Sequence, residues 1–235
     1  MIKFHKTLST ALSKTEHVSF IAPESAYKKG THKKVLDESL WSHMSKELKD
    51  VKAGLTGRSL KTFTNHKTIR SLELAVLPNK VSRGNSPTRK EWVYKFSAAV
   101  ESHPQSTVVL VLDDAEHYAA AASAVARHAR LFTAKTGKAT KKKQINIVAI
   151  DHKGDVIAAD KTVSAAAEGV AWACKMVDSP PTDMNPKALA AEAKALFKGN
   201  KSVSAKEISG SKLKQEKLNG VYAVCLLYTS DAADE

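Results

Sequence analysis

Two adjacent carboxylates, Asp113-Asp114, directly follow the apolar run Thr107–Leu112. Open α/β sheets bind ligands outside the carboxyl ends of their strands, which makes this pair a candidate ligand position. The simpler reading is favoured: Asp114 caps the next helix and complements its positive end. His117 and His128 fall on one face of that helix, but no carboxylate on the face completes a metal site. Cys174 lies on an apolar helical face and reads as a buried thiol, since a nucleophile wants a nearby His or a positive field. Gly137-Lys138 fails as a phosphate loop, because Phe132 stands where Gly is needed and Ala139 where Ser or Thr is needed. H-E-x-x-H, C-x-x-C and G-x-S-x-G are all absent from the sequence. These residues assemble no active site, and no catalytic, metal or cofactor-binding residue is assigned.

The chain that carries them has 235 residues, 43% hydrophobic and 26% charged. That is enough for one large domain or two small ones, and too apolar for a disordered chain. Two cysteines exclude a disulfide framework and fit a reducing compartment. The longest apolar stretches fall far short of a membrane span. Residues 163–235 balance nine Lys against nine Asp and Glu, so the whole excess of +13 lies in residues 1–162. Such a field favours polyanions non-specifically. Yet Lys28, Lys29, Lys33 and Lys34, and Lys138, Lys141, Lys142 and Lys143, sit in short polar stretches without interleaved aromatics. A solvated lysine-rich surface is the preferred reading over nucleic-acid binding. Met1–Thr15 is basic and free of acids, like a weak organellar presequence, but its mostly period-2 pattern favours a first strand. No secretory apolar segment is present, so the Asn200-Lys201-Ser202 sequon carries no weight. A cytoplasmic protein is expected.

The elements follow from periodicity. Strands are expected at His17–Ala22, Arg58–Phe63, Ile69–Leu77, Thr107–Leu112 and Ile145–Ile150, the last two being continuous apolar runs suited to cover on both faces. A helix is expected over Val35–Leu48, another from Ser86-Pro87, and a third over Ala115–Phe132. Strand–helix–strand with apolar strands implies a largely parallel sheet. Val163, Ala166, Ala167, Val170, Ala171, Cys174 and Val177 form one helical stripe of mostly small residues. Pro180-Pro181 breaks it, Asn185-Pro186 starts a further helix ending at Gly199, and Val203–Ile208 reads as a strand. The domain boundary is placed near Asp160–Thr162.

Three segments together resemble the leucyl aminopeptidase (cytosol aminopeptidase) family, in its probable-aminopeptidase-like branch. Val177-Asp178-Ser179-Pro180-Pro181-Thr182-Asp183-Met184-Asn185-Pro186 is similar to the segment where that family's catalytic domain begins, departing at Thr182-Asp183, where an Asn is common. Val81-Ser82-Arg83-Gly84-Asn85-Ser86-Pro87 resembles a V-S-R-x-N-S-P stretch. Ser123-Ala124-Val125-Ala126-Arg127 with Arg130-Leu131-Phe132 resembles an A-V-A-R…L-F run. The resemblance spans about residues 58–224. It implies an α/β fold: an N-terminal macro-like domain with a mixed, mostly parallel sheet over residues 1–161, then the start of a truncated α/β exopeptidase domain over 162–224. It also implies peptide substrates, two divalent ions (Zn or Mn) that activate water and polarise the peptide carbonyl, and a homo-oligomer, a hexamer, at full length. The family's metal ligands would lie downstream of this chain, so no metal is expected to bind here.

The last eleven residues, Cys225–Glu235, depart from that family and match an in-frame translation of a transposase-based sequencing-library adapter. They read as an artefactual tail. Ser230-Asp231-Ala232 shares only Asp-Ala with the family's N-T-D-A-E-G-R metal signature, and the metal reading is rejected. The expectation is an N-terminal part of a metallo-aminopeptidase, itself inactive. The alternative is a basic macro-like module for nucleotides or nucleic acid, which would want a glycine-rich phosphate cradle.

Overall fold

Runs in which residues on both faces are apolar must be covered on both faces, and the central strands of this protein are such runs. The computed structural model describes residues 1–50, 52–80, 86–129, 132 and 143–224. Among the described residues, seven strands form one sheet: β1 (Ile2–Phe4), β2 (His17–Pro23), β3 (Arg58–Phe63), β4 (Ser71–Leu77), β5 (Gln105–Val111), β6 (Gln144–Ile150) and β7 (Val156–Ile157). Their order is β1-β6-β5-β2-β4-β3, with β7 pairing β6. The contacts among β1, β6, β5, β2 and β4 are all parallel, while β3 and β7 run antiparallel to their neighbours. The mixed, mostly parallel sheet expected from the sequence is therefore present.

Alternation along β2 divides the core in two. Val18, Phe20 and Ala22 face one layer and Ile21 the other, and every residue of β2 is buried. The first layer holds five short helices: α1 (Leu8–Leu12), α2 (Glu24–Lys28), α3 (Thr31–Val35), α4 (Glu38–Trp41) and α5 (Ser45–Asp50). The second holds α6 (Lys90–Phe96), α7 (Tyr118–Ala126) and α8 (Lys161–Asp178). The result is a three-layer α/β/α unit. Gly57 enters β3 at φ +63°, and a Cβ there would lie 2.6 Å from the Val76 carbonyl oxygen, so only glycine lets β3 approach β4 this closely.

Several expected elements are shorter than their periodicity suggested. The helix expected over Val35–Leu48 is broken at Leu36, which is extended, and Asp37, whose carboxylate accepts the Ser39 N–H at 2.8 Å. The apolar spacing nevertheless holds, with Leu36, Leu40, Trp41 and Met44 buried. The expected start at Ser86-Pro87 is a turn, closed by the Arg89 N–H on the Ser86 carbonyl at 2.9 Å, and α6 begins at Lys90. The fixed φ of proline suits the second position of a turn as well as the first of a helix. The helix expected over Ala115–Phe132 is a 3-10 turn (Ala115–His117) followed by α7, which ends at Ala126. Val203–Ile208 forms no strand. Val81–Asn85, Arg130-Leu131, Gly137-Lys138 and Cys225–Glu235 lie outside the described residues.

The chain divides into two compact units, Met1–Asp178 and Ser179–Glu235. The sequence placed a boundary at 161/162, at the start of α8; the structural division falls at its end. The reason is the stripe Val163, Ala167 and Ala171, buried in the second core layer with the alanine-rich α7. Asp160 caps α8 by accepting the Val163 N–H at 2.7 Å. In the second unit, α9 (Pro186–Leu196) starts as expected, with Asn185 accepting the Ala188 N–H at 3.0 Å, and α10 (Lys212–Gln215) follows. Among the described residues of this unit only Leu213 is buried.

Small residues let α7 and α8 approach, and a large one should not fit. Ala167→Leu is expected to lower stability by about 1–3 kcal/mol through overpacking. Ala173→Leu, on the exposed side of the same helix, should change it by less than about 0.5 kcal/mol. Urea midpoints of the two variants check this, and equal effects would contradict the burial of α8.

Candidate functional site

Four parallel strands, β2, β4, β5 and β6, end along one edge of the sheet, the position at which such sheets place ligands. The connections leaving that edge bring together Arg89, Asp113 and His152. Arg89 precedes α6, with its backbone at φ +48°, a conformation uncommon for a residue with a Cβ. Its guanidinium donates to the carbonyls of Pro78 at 2.6 Å and Pro87 at 3.1 Å, and to Asp113 Oδ2 at 3.0 Å. The other oxygen, Asp113 Oδ1, lies 3.0 Å from His152 Nε2, which donates to it. His152 Nδ1 is buried and meets no hydrogen-bond partner among the described residues.

The turn that carries His152 is itself fixed by a carboxylate. Asp151 Oδ1 accepts the backbone N–H groups of Lys153, Gly154 and Asp155 at 2.8–2.9 Å. Desolvation pulls the Asp151 carboxyl upward, but the donors on Asp155, Lys153 and Gly154 outweigh it and hold the group below its ordinary value. Thr31 Oγ1 donates to the His152 carbonyl at 2.7 Å, fastening the turn to α3. At the neighbouring strand end, Glu24 accepts from Lys28 at 2.6 Å, from the Ala53 N–H at 3.1 Å and from Asn79 at 2.6 Å. Those hydrogen bonds, led by that from Lys28, bring its carboxyl down to about 2.

Beside Asp113 is a recess floored by Ile21, Leu77, Val93 and Leu110 and rimmed by Thr88, Arg89 and His117. Its volume is about 10 Å³, the space of about one water. Arg89 and Asp113 neutralise each other, so the cluster presents no net charge to attract an ion. Its chemistry is positional: one carboxylate ties the connection before α6 and the β6–β7 turn to the end of β5.

The residues singled out from the sequence separate accordingly. Asp114 caps the following turn, accepting the Glu116 N–H at 2.9 Å, while Asp113 makes the tertiary contacts. His117 rims the recess, whereas His128 lies beyond the far end of α7, 2.7 Å from Glu101 Oε1 and 2.8 Å from the Tyr94 carbonyl. Cys174 is half-buried on α8. Among the described residues no three His, Cys, Asp or Glu side chains converge to hold a metal ion. These residues do not fit the two divalent ions that the sequence resemblance implies, and no hydrolytic step is derived through them. Sequence reasoning missed Arg89 and His152. His152 follows the residue that closes β6, as Asp113 follows the last residues of β5, a parallel that could have drawn it out; the left-handed backbone of Arg89 left no such signal.

The mixed, mostly parallel sheet covered on both faces is an α/β fold that matches the N-terminal domain of M17 aminopeptidases. Residues 30–138 match the family model for M17 aminopeptidase N-terminal domain 2, in agreement with the resemblance to leucyl aminopeptidases read from the sequence. A search of curated protein sequences gave no match. Among solved structures, the leucine aminopeptidase of Caenorhabditis elegans is similar at TM-score 0.65 and 20% identity, over 92% of this chain and 43% of that one. An M17 aminopeptidase from Trypanosoma brucei is similar at TM-score 0.67 and 16% identity, over 91% and 44%. The leucyl aminopeptidase of Trypanosoma cruzi is similar at 0.63 and 18%, over 91% and 44%. At these identities the likeness is one of fold, and the chain spans less than half the length of each. No helix among the described residues is long and apolar enough to cross a membrane.

If Asp113 is the tie and Asp114 only a cap, their removal should differ. Asp113→Ala leaves a mostly buried guanidinium short of its anion and is expected to cost about 1–3 kcal/mol. Asp114→Ala is expected to cost about 1 kcal/mol or less. Denaturation midpoints measure both, and a larger loss for Asp114→Ala would overturn the assignment.

Proposed function

We propose that this chain is the N-terminal part of a metal-dependent leucyl-type aminopeptidase that removes N-terminal amino acids from peptides. The observation that carries the proposal is the match of residues 30–138 to an M17 aminopeptidase N-terminal domain. The surface of the second unit supports it. Leu189, Leu196, Phe197, Val221 and Val224 are all exposed there. So many large apolar side chains exposed on a small unit are the mark of a surface that further polypeptide covers. Further polypeptide of the same enzyme would cover it, in keeping with the 43–44% of the leucine aminopeptidase chains that the likeness spans.

On this reading the two divalent ions, Zn or Mn, and the residues that hold them belong to sequence following Val224. Residues 225–235 are adapter-derived and take no part. The 235-residue chain is inactive, and the full enzyme is a cytoplasmic homo-oligomer, a hexamer. The Arg89–Asp113–His152 cluster keeps the strand-end connections in place and touches no substrate.

The purified 235-residue chain is therefore expected to release no nitroaniline from leucine p-nitroanilide, with Mn²⁺ or Zn²⁺ added. A product of the same gene continued past Val224 is expected to do so in a metal-dependent way. Metal-dependent turnover by the 235-residue chain itself would sink the proposal.

A further inference from the structure

Near the starts of the strands, the apolar layer under α6, α7 and α8 gives way to a polar cluster. His17 and Ser19 share the face of Ile21 on β2, and Ser71 and Glu73 share the face of Ala75 on β4. His17 is 2% exposed. Its Nδ1 lies 2.8 Å from Ser71 Oγ and its Nε2 lies 2.9 Å from Ser19 Oγ. Ser71 Oγ is also 3.3 Å from Nε2 of His103, whose ring stacks on that of His17 with centroids 4.8 Å apart. The series ends where His103 Nδ1 meets the Ala99 carbonyl oxygen at 3.1 Å.

That last contact fixes the direction of all the others. A carbonyl only accepts, so His103 Nδ1 carries a proton. With His103 neutral, its Nε2 accepts, and the Ser71 hydroxyl donates to it. Ser71 must then accept from His17 Nδ1–H, which leaves His17 Nε2 to accept from the Ser19 hydroxyl. A second proton on His103, at Nε2, reverses the series. Ser71 can no longer donate there and turns its hydroxyl to His17 Nδ1. His17 then carries its proton on Nε2 and donates to Ser19. In that reversal the Ser71 hydroxyl proton passes to His103 Nε2, Ser71 takes the proton of His17 Nδ1, His17 Nε2 takes the Ser19 hydroxyl proton, and Ser19 is reprotonated from solvent, so one proton is gained overall and the charge of His17 is unchanged.

We propose that Ser19, His17, Ser71 and His103 form a proton-linked relay in which protonation of half-buried His103 selects the tautomer of buried His17. The charged groups around it are Lys61 on β3 and Glu73 on β4, 3.3 Å apart. Glu101, on the 3-10 turn Ala98–Ser102 that leads into His103, is engaged by His128 at 2.7 Å. Burial, then the adjacent His103 and Lys61, lower the His17 imidazole to about 4. His17 therefore stays neutral across the range in which imidazoles ordinarily titrate, and a change at His103 reaches it as a tautomer change alone. The relay carries a protonation event at the sheet's rim to Ser19, whose neighbour in register is Glu73.

Long-range ¹H–¹⁵N correlation spectra of the full chain, recorded from about pH 8 to about pH 5, test this directly. His17 is expected as the Nδ1–H tautomer at the alkaline end, converting to Nε2–H with the same midpoint as the titration of His103. Ser71→Ala is expected to sever the relay, so that the tautomer of His17 no longer follows His103. The proposal is overturned if His17 is the Nε2–H tautomer at the alkaline end, or keeps one tautomer while His103 titrates. It is equally overturned if His17 becomes cationic together with His103, or if the coupling survives Ser71→Ala.

Discussion

Strand β2 is buried along its whole length and pairs in parallel with β4 on one side and β5 on the other. A strand so placed is hydrogen-bonded to a neighbour on each side and has both faces against apolar layers, and parallel neighbours must be reached by crossovers. The two helical layers answer that requirement. Short helices α1 to α5 cover one face, and α6, α7 and α8 cover the other. Because the parallel strands end together, the same constraint gathers Glu24, Arg89, Asp113 and His152 at one edge. There the chain spends its polar contacts on holding connections in position.

The sequence carries the covering rule openly and the local breaks poorly. Thr107–Leu112 and Ile145–Ile150 are apolar throughout, and both prove to be buried parallel strands to within a residue or two. Apolar spacing also identified the buried side of Leu36, Leu40 and Met44. It could not show that one hydrogen bond from Ser39 to Asp37 interrupts the helix, because periodicity reports a face and says nothing of continuity. β7 has only two residues and offers no period at all. Val203–Ile208 has strand-like composition, but a strand needs a partner, and none of the described residues supplies one.

The candidate site divides in the same way. The position of Asp113 at a strand end was visible, because strand ends are set by local pattern. Its partners were not, since Arg89 and His152 lie 24 and 39 residues away in sequence. The aminopeptidase resemblance came from short ordered motifs, two of which fall partly outside the described residues. Its support is therefore the match of residues 30–138 and the fold shared with leucine aminopeptidases at 16–20% identity.

The central claim is that Met1–Asp178 forms one cooperative three-layer domain in which α8 is part of the covering and Ser179–Val224 is separate. Amide hydrogen exchange of the full 235-residue chain, followed by peptide mass spectrometry, reads this element by element. Elements that open only by global unfolding exchange in the slowest class. The account predicts that β2, β5, β6 and the Val163–Ala171 stretch of α8 share that class, with residues 179–224 exchanging well before them. Exchange of Val163–Ala171 together with residues 179–224 while β2 remains protected would contradict it.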